Sequence, residues 1–121
     1  MQDQNKTYWK VSVARNNKVL GDRIQFARSY ASRLIGLLNR SRLDAGEGLI
    51  LHPCNAIHMI GMRFAIDVLF VNASWDVVTW QENIQPWRVS PVVRQACAVI
   101  ELPAGTIRAS EIVEGDRLLI S

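Results

Sequence analysis

The sequence predicts a mainly β (α+β) domain, a compact β-sandwich or barrel-like unit with one principal helix near residues 29–38. Three observations carry that prediction: apolar residues alternate with period two along most of the chain, turn-forming residues interrupt them at short intervals, and convincing helical spacing occurs once. With 121 residues and no internal repeat, low-complexity tract or linker, residues 1–121 read as a single domain. A chain of that size buries a real core without metal or disulfide staples.

The elements follow in order. "TYWKVSV" alternates, with Trp9, Val11 and Val13 on one face and Tyr8, Lys10 and Ser12 on the other. "RNN" then supplies turn chemistry before "KVLGDRIQFA", so the chain opens with a hairpin. Ser29 is an N-cap for a helix reaching about Leu38, in which Tyr30, Leu34, Leu37 and Leu38 recur at helical spacing beside Ser32 and Arg33. Gly36 weakens that helix by about 1 kcal/mol relative to Ala, which points to close packing there. "NRSRLDAGEG" is a loop. Strands are expected near 48–52, 56–62, 64–71, 75–84, 95–102 and 116–120. "NASW" reverses the chain, "QPWRVSP" is a proline-bracketed loop, and "PAGTIRAS" has room for one helical turn.

Composition excludes several classes. The chain is 49% hydrophobic and 21% charged, its opening "MQDQNKTYWK" lacks an apolar signal region, and no run reaches the roughly 18 apolar residues of a membrane span. A cytoplasmic address is therefore expected, and Cys54 and Cys97 are expected as thiols. Residues 1–48 carry nine Lys and Arg against four acids, whereas residues 49–121 carry five against seven. Arg28, Arg33, Arg40 and Arg42 thus make a basic region that could steer an acidic partner, or simply a solvated helix face. No nucleic-acid motif accompanies them, so nucleic acid is not an expected partner.

The stretch "PCNAIHMIGMRFAIDVLF", residues 53–70, sets Cys54, His58 and Asp67 among apolar neighbours. A metal site is not expected: on a strand, four residues separate Cys54 from His58 by about 13 Å, too far for one ion. Cys97, in "ACAVIEL", reads as strand core rather than as a nucleophile. Asp67 and Glu101 are acids where alternation predicts burial, so each needs donors close by; His58, Arg33, Arg63 and turn N–H groups are the candidates. Two readings follow. The acids pin loops through backbone hydrogen bonds, or His58, Asp67 and Glu101 form a pocket in which a proton moves. His58 also carries two readings, a core imidazole satisfied by one acceptor or the residue that matters for a ligand. Trp75, Trp80 and Trp87, with Arg88 and Arg94 nearby, have the vocabulary of a stacking platform, but Trp75 and Trp80 differ in strand parity. Trp87 is the best candidate for an exposed aromatic.

The string "RLIGLLNRSRLDAGEGLILHPCNAIHMIGMRFAIDVLFV", with "AVIELPAG" and "VEGDRLLI", resembles the family catalogued as domain of unknown function 192, from about Ile24 onward. The matching positions are Arg33, Gly36, Leu37, Gly48, His58, Met62, Asp67, Glu101, Gly105, Gly115 and Asp116; Met59, Ile60, Gly61 and Ala65 depart from it. The resemblance implies a compact β fold of the sandwich type and no assigned activity. Two function classes remain. One is a small binding or accessory module for an unidentified small molecule or protein, with Trp87, Arg88, Arg63 and Arg33 as candidate ligand contacts. The other is a small enzyme, such as a hydrolase, with His58 and Asp67 or Glu101 as its acid–base pair. No cofactor is expected. Chelator and reductant are expected to leave the Tm unchanged within about 2 °C, read by thermal unfolding, because losing a structural metal or disulfide removes several kcal/mol.

Overall fold

The computed structural model describes residues 6–27, 37 and 40–121. Among the described residues seven strands form one sheet: β1 (Trp9–Val13), β2 (Val19–Ala27), β3 (Glu47–Leu51), β4 (Ile66–Val71), β5 (Val77–Ile84), β6 (Ala98–Pro103) and β7 (Leu118–Ile120). A single helical turn, α1 (Thr106–Ala109), follows β6. The order across the sheet is β5-β4-β6-β3-β2-β1-β7, antiparallel throughout except for the parallel pair β2 and β3. The predicted helix near 29–38 lies outside the described residues apart from Leu37, which is buried.

The hairpin forms where "RNN" places it: Val13 N–H donates to Lys18 O, and Asn17 takes the left-handed conformation (φ 59°) that asparagine tolerates. Beyond β1 the sheet curls until its edges meet at one corner. There Val77 N–H donates to Asp116 O (2.8 Å), Gly115 N–H to Val77 O (2.8 Å) and Leu118 N–H to Trp75 O (3.0 Å). The result is a half-barrel, the barrel-like form of the expected fold.

Curling creates two apolar layers. The inner one draws side chains from all seven strands, among them Val11, Ile24, Ile50, Leu69, Val77, Ile100 and Leu118. The outer one combines Leu49, Val68, Phe70 and Val99 of the sheet with Leu37, Leu43, Ile57, Met59 and Met62 laid over it. β4 is buried along its whole length, and β6 at every residue but Pro103, which explains their nearly unbroken apolar sequences. Each fully buried Ile, Leu or Phe contributes about 1.5–3 kcal/mol. Gly48 permits the tightest approach: a Cβ there would lie 2.6 Å from Ile24 Cδ1 and 2.7 Å from Glu101 O.

One expected strand is absent. Residues 56–62 touch a partner segment through a single bridge, His58 with Val89, and then turn at Gly61 (φ 82°), where Met62 N–H reaches Met59 O. The segment pairs with the 85–93 loop rather than with the sheet, so its apolar residues serve as a cover and not as a ladder.

The closing corner is also held electrostatically. Asp116 is 5% exposed and accepts both Nε and Nη2 of Arg15 (2.8 and 3.1 Å) and the backbone N–H of Val113 (2.8 Å). The Arg15 hydrogen bond is the chief reason its carboxyl titrates below the usual aspartate range, with burial opposing it. A depressed folded pKa gives a contribution complete at neutral pH, eroded as pH falls through about 3.9, and gone below the folded value. Asp116→Asn is therefore expected to be less stable than the parent at pH 7 and to lose less on acidification, read as urea midpoints at pH 7 and pH 3.

Candidate functional site

Register decides which predicted site residues can meet. Glu101 on β6 lies opposite Leu49 on β3 and Val68 on β4, both outer-layer residues, so its fully buried carboxylate belongs to the outer layer. Asp67 lies opposite Leu102, an inner-layer residue, and faces the other side. The two acids sit on neighbouring strands but on opposite faces, and the structure does not bring them together.

Asp67 has its partners. Oδ1 accepts the N–H of Asn83 (2.9 Å), and Oδ2 accepts those of Gly105 and Ile107 (both 3.0 Å). One carboxylate thus ties β4 to the end of β5 and to the start of α1, where Gly105 takes φ 96°. This is the loop-pinning arrangement. His58 is half-buried on the segment that covers Glu101's face, between the buried Ile57 and Met59.

The cysteines occupy a different corner. Cys54 N–H donates to Cys97 O (2.9 Å), Cys97 N–H donates to Val71 O (2.8 Å), and Cys54 Sγ–H reaches Ala56 O (3.0 Å). Both are half-buried beside an open cleft of ≈ 350 Å³ lined by Pro53, Asn55 and Ala96 as well, and neither is in a disulfide. Cys97 precedes β6 instead of standing inside a strand, which is why it is not the fully buried core residue expected. Among the described residues no group of three or more His, Cys, Asp and Glu has the arrangement of a metal centre.

The tryptophans divide. Trp75 and Trp80 both pack against the inner layer, because Trp75 stands in a turn (φ 63°) ahead of β5 and strand parity does not govern it. Trp75 further meets Phe26 edge-on (6.3 Å between ring centres) and stacks on His52 (6.1 Å). Trp87 stands apart at 68% exposed, with Ile60, Val89 and Val92 exposed on the same two segments. Backbone hydrogen bonds join those segments into an irregular ribbon: Trp87 N–H to Met59 O (2.8 Å), Met59 N–H to Arg88 O (2.7 Å), Ser90 N–H to Ile57 O (2.9 Å) and Val93 N–H to Asn55 O (2.9 Å). Arg63, Arg88 and Arg94 are exposed on it, and residues 53–65 and 85–95 contain no acid. Arg33 lies outside the described residues.

Sequence reasoning missed a second polar surface. Tyr8, Arg23, Gln25, Arg40 and Glu47 line a cleft floored by Leu37, Leu43 and Leu49. Arg40 Nη2 donates to Glu47 Oε1, which also accepts Asp44 N–H (2.8 Å). The Arg40 hydrogen bond holds the Glu47 carboxyl below the usual glutamate range, and its partner's guanidinium is held protonated in return. Arg40 in the loop and Glu47 at the start of β3 are seven residues apart, a spacing that carries no sequence signal.

The profile of the DUF192 family, described as uncharacterized ACR, matches residues 11–120, which takes in the hairpin ahead of the expected start at Ile24. A UPF0127 protein of Pyrococcus furiosus is 34% identical over 98 residues, covering 78% of this chain and 84% of its own length. A UPF0127 protein of Thermococcus kodakarensis is 31% identical over 98 residues, covering 78% of this chain and 62% of its own length. A crystal structure of a protein of unknown function from Novosphingobium aromaticivorans superposes with TM-score 0.77 at 23% identity, over 98% of this chain and 90% of its own. That likeness concerns the fold. Asp67→Ala is expected to destabilise the protein by roughly 2–4 kcal/mol, with Asn intermediate, because three backbone donors lose their acceptor; the urea midpoint reads it.

Proposed function

We propose that this chain, which belongs to the DUF192 family, is a binding module that takes an acidic segment of a partner protein on the ribbon of residues 53–65 and 85–95. The single observation behind this is the exposure of Trp87, Val89, Val92 and Ile60 beside three arginines, with no acid on either segment. Tryptophan and arginine dominate the energetics of protein interfaces. A guanidinium fork also pairs with both oxygens of one carboxylate. A second copy of the same surface would set arginine against arginine, which opposes self-association.

Backbone geometry adds support. Trp87 holds φ 69°, a conformation that costs a non-glycine residue about 1–2 kcal/mol, yet it buries little surface in return. Strain kept at an exposed aromatic is the kind that accompanies recognition. The hydrolase alternative is weakened at Asp67, whose two oxygens already accept three backbone N–H groups.

The test uses fluorescein-labelled twelve-residue peptides in which Glu or Asp alternates with Leu or Phe, against a matched Lys series, read by fluorescence polarisation and by the Trp87 indole N–H resonance. The acidic series is expected to bind and to weaken with salt, and Trp87→Ala and Arg88→Glu should each weaken it about tenfold or more. Trp87→Gly should lose binding while folding at least as stably as the parent, since glycine carries no left-handed penalty. No shift of the indole resonance, equal binding of the Lys series, preference for phosphatidylglycerol vesicles, or dimerisation through this face would each overturn the proposal.

A further inference from the structure

The second polar surface lies on another part of the outer layer, and it is built as a pocket. In the parallel pair β2–β3, Arg23 lies beside Glu47 and Gln25 beside Leu49, so these four side chains share the outer face. Leu37 and the segment 40–47, with Arg40 and Leu43, lie over them, and Tyr8 adds its phenol from the residue before β1. The enclosed space is ≈ 100 Å³, room for a handful of heavy atoms.

Its chemistry is one-sided. The floor is three buried leucine side chains, which favour a short branched or linear hydrocarbon. The rim holds two guanidiniums and one carboxylate, and the exposed Asp22 carboxylate lies 3.8 Å from Arg23 Nε beside it. Arg40 gives Nη2 to Glu47, and Arg23 gives Nη2 to Ala45 O (2.7 Å) with its Nε 3.8 Å from Asp22 Oδ1, so each guanidinium keeps further N–H donors, while Gln25 and Tyr8 supply neutral ones. An apolar body with a single anionic end satisfies both halves.

We propose that this cleft binds a small aliphatic carboxylate, its hydrocarbon on Leu37, Leu43 and Leu49 and its carboxylate between Arg23 and Arg40. The carboxylate takes the remaining N–H donors of both guanidiniums without displacing Glu47 from Arg40. For so few atoms, saturation falls in the millimolar range.

The probe is 3-methylbutanoate, titrated into the full chain while the methyl resonances of Leu37, Leu43 and Leu49 are followed by NMR. Saturable shifts at these methyls are expected, with 3-methylbutanol and 3-methylbutylamine at least tenfold weaker. Arg40→Gln removes a fold contact as well as a ligand contact, so Gln25→Glu is the cleaner variant: it changes a surface strand residue and sets a like charge against the ligand. Gln25→Glu should retain the parent Tm and lose binding at least tenfold. The proposal fails if the three methyls do not move up to about 50 mM ligand, well past the millimolar range, if alcohol or amine binds equally, or if Gln25→Glu binds like the parent.

Discussion

Burial of β4 and of nearly all of β6 on both faces is the constraint from which the rest of the structure follows. A strand with two apolar faces needs two covers, and a single seven-stranded sheet supplies only one by curling. The inner cover is the sheet itself, closed at the corner where Val77 meets Asp116. The outer cover has to come from segments that are not part of the sheet. Ile57, Met59 and Met62 on one side and Leu37 and Leu43 on the other provide it. Both surfaces proposed to bind, the arginine–tryptophan ribbon and the leucine-floored cleft, are made by that outer cover. The scaffold fixes where the covering segments run and leaves their outward side chains unassigned.

Polar groups inside the layers are few and divide by role. Asp67 and Asp116 each gather three or more donors and fix chain segments, α1 in one case and the approach to β7 in the other. Such charges add stability only while their donors stay in place, since removing one side leaves the other desolvated. Asp116 stands in the turn before β7, and Asp67, near the start of β4, takes its donors from the end of β5 and the start of α1. This explains why alternation marks Asp67 as anomalous within "FAIDVLFV" and yet says nothing of its partners, which lie 16 to 40 residues away.

Legibility in the sequence tracks the range of the interaction. The hairpin at "RNN", the reversal at "NASW", the "QPWRVSP" loop, the helical turn in "PAGTIRAS" and the strands β3 to β7 were all readable, because turn chemistry and period-two patterning are local. Residues 56–62 were misread as a strand because an apolar cover and an apolar ladder have the same composition; only the partner distinguishes them, and the partner is a loop. The exposure of Trp87 was legible from its flanking proline. The opposed faces of Asp67 and Glu101 were not, since they depend on how β4 and β6 align, and neither was the cleft, which needs β2, β3 and the loop before β3 to meet.

The ribbon is held by backbone hydrogen bonds from Trp87, Met59, Ser90 and Val93, and its inward contacts come from Ile57, Met59 and Met62. None of these depends on what Trp87, Arg88, Val89 or Arg63 present to solvent. The exposed side chains can therefore change with little effect on the fold, whereas Gly48 and Asp67 cannot, because one is wedged against Ile24 and the Glu101 carbonyl and the other is the shared acceptor of three backbone N–H groups. That separation has a thermodynamic consequence. Under the proposed function, binding at the ribbon draws on groups that contribute almost nothing to folding, and the fold has no means of its own to keep four exposed apolar side chains there. An exposed tryptophan in a left-handed conformation lowers folding stability, so folding alone gives no reason for it, and the proposed recognition does.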